Sequence, residues 1–357
     1  TSTMSVPIST ERWDMPENQI NSVVQAEIER NLLGGTPKYT RSDIVSRSGL
    51  PLERVIALWI GMGFPIHTDT EAVVYTDADL EALKLITGLT EQKVIKSEME
   101  VAIARTLGQS MSRLAEWQVG VVNSHILERI TSSEEDQNDI DAIRRNARDI
   151  AAETVPTLEA LQAYTWRRHL AAAAGRSIAA PDDATDSPVM AVGFADMVGY
   201  TSLTRRLDIG ELTTLLEEFE SLATNIIARG RGSVIKNVGD EVMFSAQTPE
   251  DAAHIALDLQ DAFAEQEDMP DLRVGLAWGP VLARYGDLYG SVVNIAARLT
   301  SSSNPGTILV DTVMTEELRH DSEFYLKSVR SLRVKGFHKL KPHRLKRNKR
   351  SGHRSEE

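Results

Sequence analysis

In the first half of the chain, apolar residues recur at the spacing typical of α-helices. Between residues 90 and 130, apolar side chains recur every three or four positions, which predicts one amphipathic helix or a broken pair of helices. A charged break at 132–136 precedes a second helical stretch over 140–170, which we expect Pro156 to kink or restart. The pattern therefore predicts an all-α domain over residues 1–170.

The second half alternates between short apolar strands and amphipathic helices. Strands are predicted at 189–196, 272–278, 307–310 and around 324–345, a hairpin at 233–246, and helices at 208–229, 249–264, 291–300 and 312–319. The βαββαβ order, with its central antiparallel hairpin, predicts a ferredoxin-like α+β domain over residues 189–345. Residues 171–188 are rich in Ala, Asp, Ser and Pro, which predicts a linker. Residues 346–357 form a basic tail.

Composition narrows the classes of function. The 357 residues carry a net charge of −13, and an acidic chain is a poor general binder of nucleic acid or anionic lipid. The absence of cysteine excludes disulfides and thiolate chemistry. Because no apolar run approaches the roughly 20 residues of a membrane span, we expect no membrane insertion. A cytoplasmic protein of two domains fits these features best.

Two segments of the second half each deliver one carboxylate at the end of an apolar strand. Asp196 ends the strand that begins at Val189, and Asp240 lies in the turn of the predicted hairpin. Either aspartate alone reads equally well as the cap of the turn that follows it. Together they form a pair able to share divalent cations, a common device for activating a nucleophile in phosphoryl transfer.

Several separately spaced motifs resemble those of one family. Residues 189–345 resemble the catalytic domain of class III nucleotide cyclases, and the whole chain resembles the acid-regulated mycobacterial-type adenylate cyclases. The resemblance implies that Asp196, Asp240 and the backbone carbonyl of Met197 bind two Mg²⁺ or Mn²⁺ ions. It also implies conversion of ATP to cyclic AMP and pyrophosphate, in which one ion acidifies the ribose 3′-hydroxyl and the other neutralises the leaving group.

The same resemblance implies residues that recognise the substrate. Lys236 and Asp287 match the lysine and aspartate that read adenine, whose N1 accepts and whose N6 donates a hydrogen bond. Taken singly, they read as a solvated strand lysine and an ordinary turn residue. Guanylate cyclases of this class carry glutamate and a small residue at these two positions. Asn294 and Arg298, four apart in a helix, match the pair that orients the ribose and stabilises charge on the α-phosphate. Lys335 matches a triphosphate-binding lysine.

The family also implies a quaternary arrangement. Its catalytic domains pair head to tail, so that the metal-binding aspartates of one chain face the lysine, aspartate, asparagine and arginine of the other. This chain carries all of these residues. We therefore expect a homodimer with two shared active sites.

Residues 39–64 resemble a helix-turn-helix unit of the winged, MerR-like kind, with Gly49-Leu50-Pro51 as the turn. The alternative function is therefore a DNA-binding or signal-sensing regulator that carries an inactive cyclase-like domain. A recognition helix needs cationic and polar residues aimed at phosphates and base edges. The helix that begins at Leu52 offers only Arg54 among apolar residues, so we expect a packed scaffold and no nucleic-acid partner.

The resemblance implies that the first domain inhibits the cyclase at neutral pH and releases it in acid. Histidine is the side chain suited to that range. His169 is the first candidate sensor, because it precedes the predicted linker and a protonated imidazole there would lie beside Arg168. His125 is the second. The ordinary alternative for each is a histidine without a switching role.

Overall fold

The computed structural model describes residues 17–131, 140–179, 187–266, 268–284, 286–334 and 337–348. The chain divides into two compact units, residues 1–179 and 180–357, and each is described by itself. The basic tail from residue 349 onward and most of the predicted linker, residues 180–186, lie outside the described residues.

The described part of the first unit is helical, which confirms the predicted all-α region. Its helices are α1 (Glu17–Leu32), α2 (Arg41–Ser48), α3 (Leu52–Gly61), α4 (Asp77–Glu91), α5 (Glu100–Thr131) and α6 (Ile140–Ala179). Two of them begin at capping boxes, in which Thr40 and Thr76 accept a hydrogen bond from the backbone N–H three residues later. A short 3₁₀ turn, Ser97–Met99, separates α4 from α5, so the stretch over 90–130 is broken rather than continuous.

Two sequence-based predictions for the first unit need correction. Pro156 lies inside α6 and does not restart it, so of the two predicted effects the kink stays a prediction. The helix also continues through the first part of the predicted linker and ends at Ala179 instead of residue 170. The run Ala171–Ala174 explains the extension, because alanine has the highest intrinsic helix propensity.

The helix-turn-helix segment packs as a scaffold. Gly49, at φ 69°, ends α2 in the left-handed conformation, and Ile44, Val55 and Leu58 are buried in the cluster that joins α2, α3 and α4. Arg54 donates to Glu100 at the start of α5, with Nε 3.0 Å from Oε2, and Glu100 is 3% exposed. The single cation of α3 is thus held inside the unit.

The second unit is built on a seven-stranded sheet of order β2-β3-β1-β4-β7-β11-β8. Its strands are β1 (Val189–Met197), β2 (Ser233–Val238), β3 (Glu241–Ala246), β4 (Leu272–Pro280), β7 (Thr307–Val310), β8 (Phe324–Ser328) and β11 (His343–Arg347). Two separate hairpins pair β5 (Leu282–Arg284) with β6 (Asp287–Tyr289), and β9 (Leu332–Val334) with β10 (Phe337–Leu340). The first four sheet strands pair antiparallel in the ferredoxin-like order, which confirms the predicted α+β fold.

Helices cover both faces of this sheet. They are α7 (Tyr200–Leu203), α8 (Ile209–Arg229), α9 (Pro249–Ala264), α10 (Ser291–Ser302) and α11 (Thr312–Leu318). Because strand residues alternate between faces, Ala191 and Ala195 of β1 join the core with α8 and α9, whereas Val192 and Phe194 join the core with α10. Asp196 therefore lies on the face of α10. None of the helices among the described residues is long and apolar enough to cross a membrane.

Backbone contacts hold α10 against β4. A Cβ added at Gly275 would overlap the backbone nitrogen of Thr300 and the backbone oxygen of Ala296. The Thr300 hydroxyl also donates to the carbonyl of Ala296 at 3.0 Å and to that of Phe194 in β1 at 3.3 Å. The absence of a side chain at Gly275 is what allows this approach.

We expect Gly275→Ala to destabilise the second unit by about 3 kcal/mol, because the added methyl group meets backbone that is unable to yield locally. Chemical denaturation followed by circular dichroism measures the effect. Gly88→Ala is the matched control: nothing lies within 4 Å of a Cβ at this position in α4. That change should raise stability by roughly 0.5–1 kcal/mol. Equal effects of the two changes would contradict the packing argument.

Candidate active site

Asp196 and Asp240 are brought together by strand pairing. Asp196 is the penultimate residue of β1, and Asp240 lies in the tight turn between β2 and β3 after Gly239, which adopts φ 61°. The backbone N–H of Met197 donates to the carbonyl of Asp240 at 3.0 Å. This bond fastens the hairpin turn to the end of β1, so the two predicted metal ligands are neighbours.

Acidic groups crowd this edge of the sheet. Burial raises the pKa of Asp196, the nearby Arg273 guanidinium opposes that shift, and the carboxylate of Asp240 adds to it. Glu241 is the cross-strand neighbour of Asp196, and burial together with the charges of both aspartates raises its pKa to about 7. Three carboxyl groups therefore share one small region.

Arg273 is the counter-ion of this acidic edge. It lies in β4 directly opposite Asp196, and its Nη2 is 2.7 Å from Oδ2 of Asp196. Neither Arg273 nor Glu241 is among the residues expected from the sequence. Each is a charged residue at the end of an otherwise apolar strand, and that is the signal that could have indicated them.

The donor set at this edge fits a hard divalent cation. Among the described residues there is no cluster of three or more acidic, histidine or cysteine side chains arranged to hold a metal ion. The available oxygens are those of two adjacent aspartates and of the backbone at Met197, whose side chain is fully buried. Mg²⁺ is typically held by one or two carboxylates and takes its other ligands from water and substrate phosphates. Two carboxylates and one backbone carbonyl are therefore enough protein ligands for a Mg²⁺ site.

Lys236 and Asp287 form a second functional group. Lys236 of β2 reaches across to β6, where its Nζ lies 2.6 Å from Oδ2 of Asp287. The two side chains remain 41% and 26% exposed, so a ligand has access to both. Oδ1 of Asp287 also accepts the backbone N–H of Leu288 at 2.8 Å, which orients the carboxylate. The donor and the acceptor predicted from the sequence are thus adjacent.

Asn294 and Arg298 lie one turn apart on α10, as their spacing predicts. Gly290, at φ 131°, precedes the helix. Asn294 is exposed and Arg298 is half-buried on the helix that packs against β1 and β4. Lys335, the predicted triphosphate-binding lysine, lies outside the described residues.

Comparison with known proteins points in the same direction. Residues 183–347 match the family model of the adenylate and guanylate cyclase catalytic domain. An adenylate cyclase of Glutamicibacter nicotianae is 35% identical over 335 residues, which cover 90% of this chain and 81% of the relative. An adenylate cyclase of Streptomyces coelicolor is 40% identical over 82% of this chain and 74% of its own length. A pH-sensitive adenylate cyclase of Mycobacterium tuberculosis is 28% identical over 81% of this chain and 72% of its own length.

Proposed function

The chain belongs to the class III adenylate cyclases, and from that premise we propose how its own residues convert ATP to cyclic AMP. Two observations carry the proposal: the adjacency of Asp196 and Asp240 at one edge of the sheet, and the separate ion pair of Lys236 and Asp287. One group has the chemistry to hold cations around a triphosphate, and the other has the chemistry to hold a purine base.

We assign the binding of two divalent cations to the carboxylates of Asp196 and Asp240 and the backbone carbonyl of Met197. Mg²⁺ or Mn²⁺ held by these groups would supply acidification of the ribose 3′-hydroxyl and neutralisation of the leaving pyrophosphate. The chain's part is to hold two carboxylates side by side in a half-buried place, where their attraction for cations is little screened by water.

Lys236 and Asp287 are proposed to select adenine. The ammonium of Lys236 donates to N1, and the carboxylate of Asp287 accepts from the N6 amino group. Guanine presents a donor at N1 and an acceptor at O6. Its N1 donor would face the Lys236 ammonium, another donor, and its O6 acceptor would face the Asp287 carboxylate, another acceptor. The carboxylate orientation that Leu288 fixes is part of this selection.

Asn294 and Arg298 are proposed to act on the sugar and the α-phosphate. An amide on the exposed side of α10 is suited to hold a ribose hydroxyl, and a guanidinium one turn later to stabilise charge that grows on the phosphate. We assign Lys335 to the triphosphate. In the proposed homodimer, the aspartates of one protomer act on the nucleotide whose base and ribose the other protomer binds.

Turnover assays with ATP and GTP test the base assignment. We expect the wild-type chain to form cyclic AMP in preference to cyclic GMP. Lys236→Glu combined with Asp287→Ser should lower ATP turnover roughly 100-fold, because the hydrogen-bonding pattern at both positions no longer matches adenine. Lys327→Glu, an exposed lysine on β8, is the control and should leave turnover unchanged. Cyclic GMP as the main wild-type product would overturn the assignment.

Mixing inactive variants tests the shared sites. Asp196→Ala and Arg298→Ala should each be inactive alone. Their mixture should regain about a quarter of wild-type activity, because half of the dimers are mixed and each mixed dimer carries one intact site. A mixture of Asp196→Ala with Asp240→Ala is the control and should stay inactive, since every site then lacks one metal ligand. Inactivity of both mixtures, with dimers present, would exclude shared sites.

We propose that the first unit inhibits the cyclase at neutral pH. The support is the relative named as pH-sensitive, together with the division of the chain into two units. His169 and His125 are both exposed on long helices, α6 and α5. Of the two, His169 lies ten residues before the end of the first unit.

Cyclase activity between pH 5.5 and 8 tests this regulation. The full chain should be more active at acid pH than at neutral pH, whereas residues 187–357 alone should show a weaker dependence. His169→Ala should flatten the profile of the full chain if this residue is the sensor. His320→Ala, an exposed histidine of the second unit, serves as the control. An unchanged profile for His169→Ala would remove that residue as the sensor.

No described contact favours the alternative of a DNA-binding regulator. The one cation of α3, Arg54, is engaged by Glu100, and the remaining residues of that helix are apolar apart from Glu53. A helix of this composition has little to offer phosphates or base edges. A mobility shift on DNA at low salt would reopen the question.

A further inference from the structure

The positively charged side chain of Arg273 contacts Asp196, one of the proposed metal ligands. The pairing of β1 with β4 places Arg273 opposite Asp196, and their side chains meet at 2.7 Å. The side chains are only 30% and 18% exposed. Because strand register fixes this neighbour, the ion pair is a built feature of the sheet and not a chance contact between long surface side chains.

The guanidinium acts on a divalent cation in two ways. It takes up one acceptor position of the Asp196 carboxylate, and it places a permanent positive charge beside the site, since arginine does not lose its proton in proteins. Half-buried charges are screened less than exposed ones. A bare cation that approaches Asp196 and Asp240 is therefore repelled by Arg273 as well as attracted by the acids.

The other charged groups at this edge set the background for that effect: the acidic side chains attract a cation, and Arg273 reduces that attraction. Asp240 and Glu241 add negative charge, and Lys236 lies close enough to influence Glu241. Lys236 is itself engaged by Asp287. Among the residues that the structure describes, Arg273 is the cation in direct contact with a proposed metal ligand, so its charge acts there at short distance.

We propose that Arg273 makes the site discriminate between a free divalent cation and a cation that arrives with a nucleoside triphosphate. The proposal rests on the proposed function, because it takes Asp196 and Asp240 as the metal ligands. A free cation meets the full repulsion of the guanidinium. A cation bound to a triphosphate arrives with several negative charges that offset this repulsion, so the complex enters without the same penalty. Arg273 thus favours binding of the metal–nucleotide complex over binding of the free metal ion.

Binding of Mn²⁺ alone to the full chain, followed by the electron paramagnetic resonance signal of free Mn²⁺, tests the proposal without turnover. Arg273→Gln should bind free Mn²⁺ about five- to tenfold more tightly than the wild type, because a half-buried cation is removed. Arg319→Gln removes an arginine that is paired with Glu316 on α11, and it should match the wild type. Arg273→Lys keeps the charge and should also remain close to the wild type.

Two further measurements separate the role of Arg273 from the assignment of Asp196 and Asp240 as metal ligands. With 3′-deoxy-ATP, which lacks the attacking hydroxyl, the Mn²⁺ complex should bind Arg273→Gln no more tightly than the wild type. The double variant Asp196→Asn with Arg273→Gln should lose the gain for free Mn²⁺. If that double variant kept the gain, the ions would lie elsewhere and the metal assignment would fail.

Unchanged or weaker binding of free Mn²⁺ by Arg273→Gln would overturn the role of Arg273 itself. The thermal unfolding midpoint of each variant establishes that it is folded. Arg273→Met, which keeps the apolar stem, replaces the glutamine variant if that one is unstable, and the same gain in affinity is expected of it.

Discussion

The pairing of β1 with its two neighbours is the constraint on which the second unit depends. It holds Asp196 beside Asp240 and Glu241 on one side and beside Arg273 on the other. The neighbouring carboxylates repel one another, and the arrangement is held by the buried core beneath the strands together with the counter-ion Arg273. The energy that folds the apolar strands thus maintains an acidic edge that would not assemble by itself, and a cation-binding site needs such an edge.

The sequence was sufficient to predict the fold. Asp196 and Asp240 stand out because each ends or interrupts an apolar strand, whereas Lys236 and Asp287 were expected only from the family resemblance; the structure brings the four together in two pairs. Arg273 and Glu241 were not found, because their importance comes from cross-strand register, and the pairing of distant strands is not visible in local periodicity. The predicted end of α6 was wrong for a local reason. The Ala171–Ala174 run fits the composition of a linker, but alanine favours a helix.

In the first unit, the helix-turn-helix segment uses its arginine for packing within the unit. Its helix-turn-helix segment keeps the turn glycine and the buried spacing, but the one arginine of α3 is used to neutralise a buried glutamate. A buried carboxylate without a partner would be costly, so Arg54 is needed for packing. The resemblance of residues 39–64 to DNA-binding modules therefore concerns the backbone path and the core, whereas the surface chemistry differs.

The missing side chain at Gly275 has a consequence for motion. Because the backbones of α10 and β4 approach each other at Gly275, the helix has no room to move towards the strand at that point. Asn294 and Arg298 are therefore coupled mechanically to the strand that carries Arg273. A signal that alters their position must therefore move β4 and α10 together rather than pivot the helix alone.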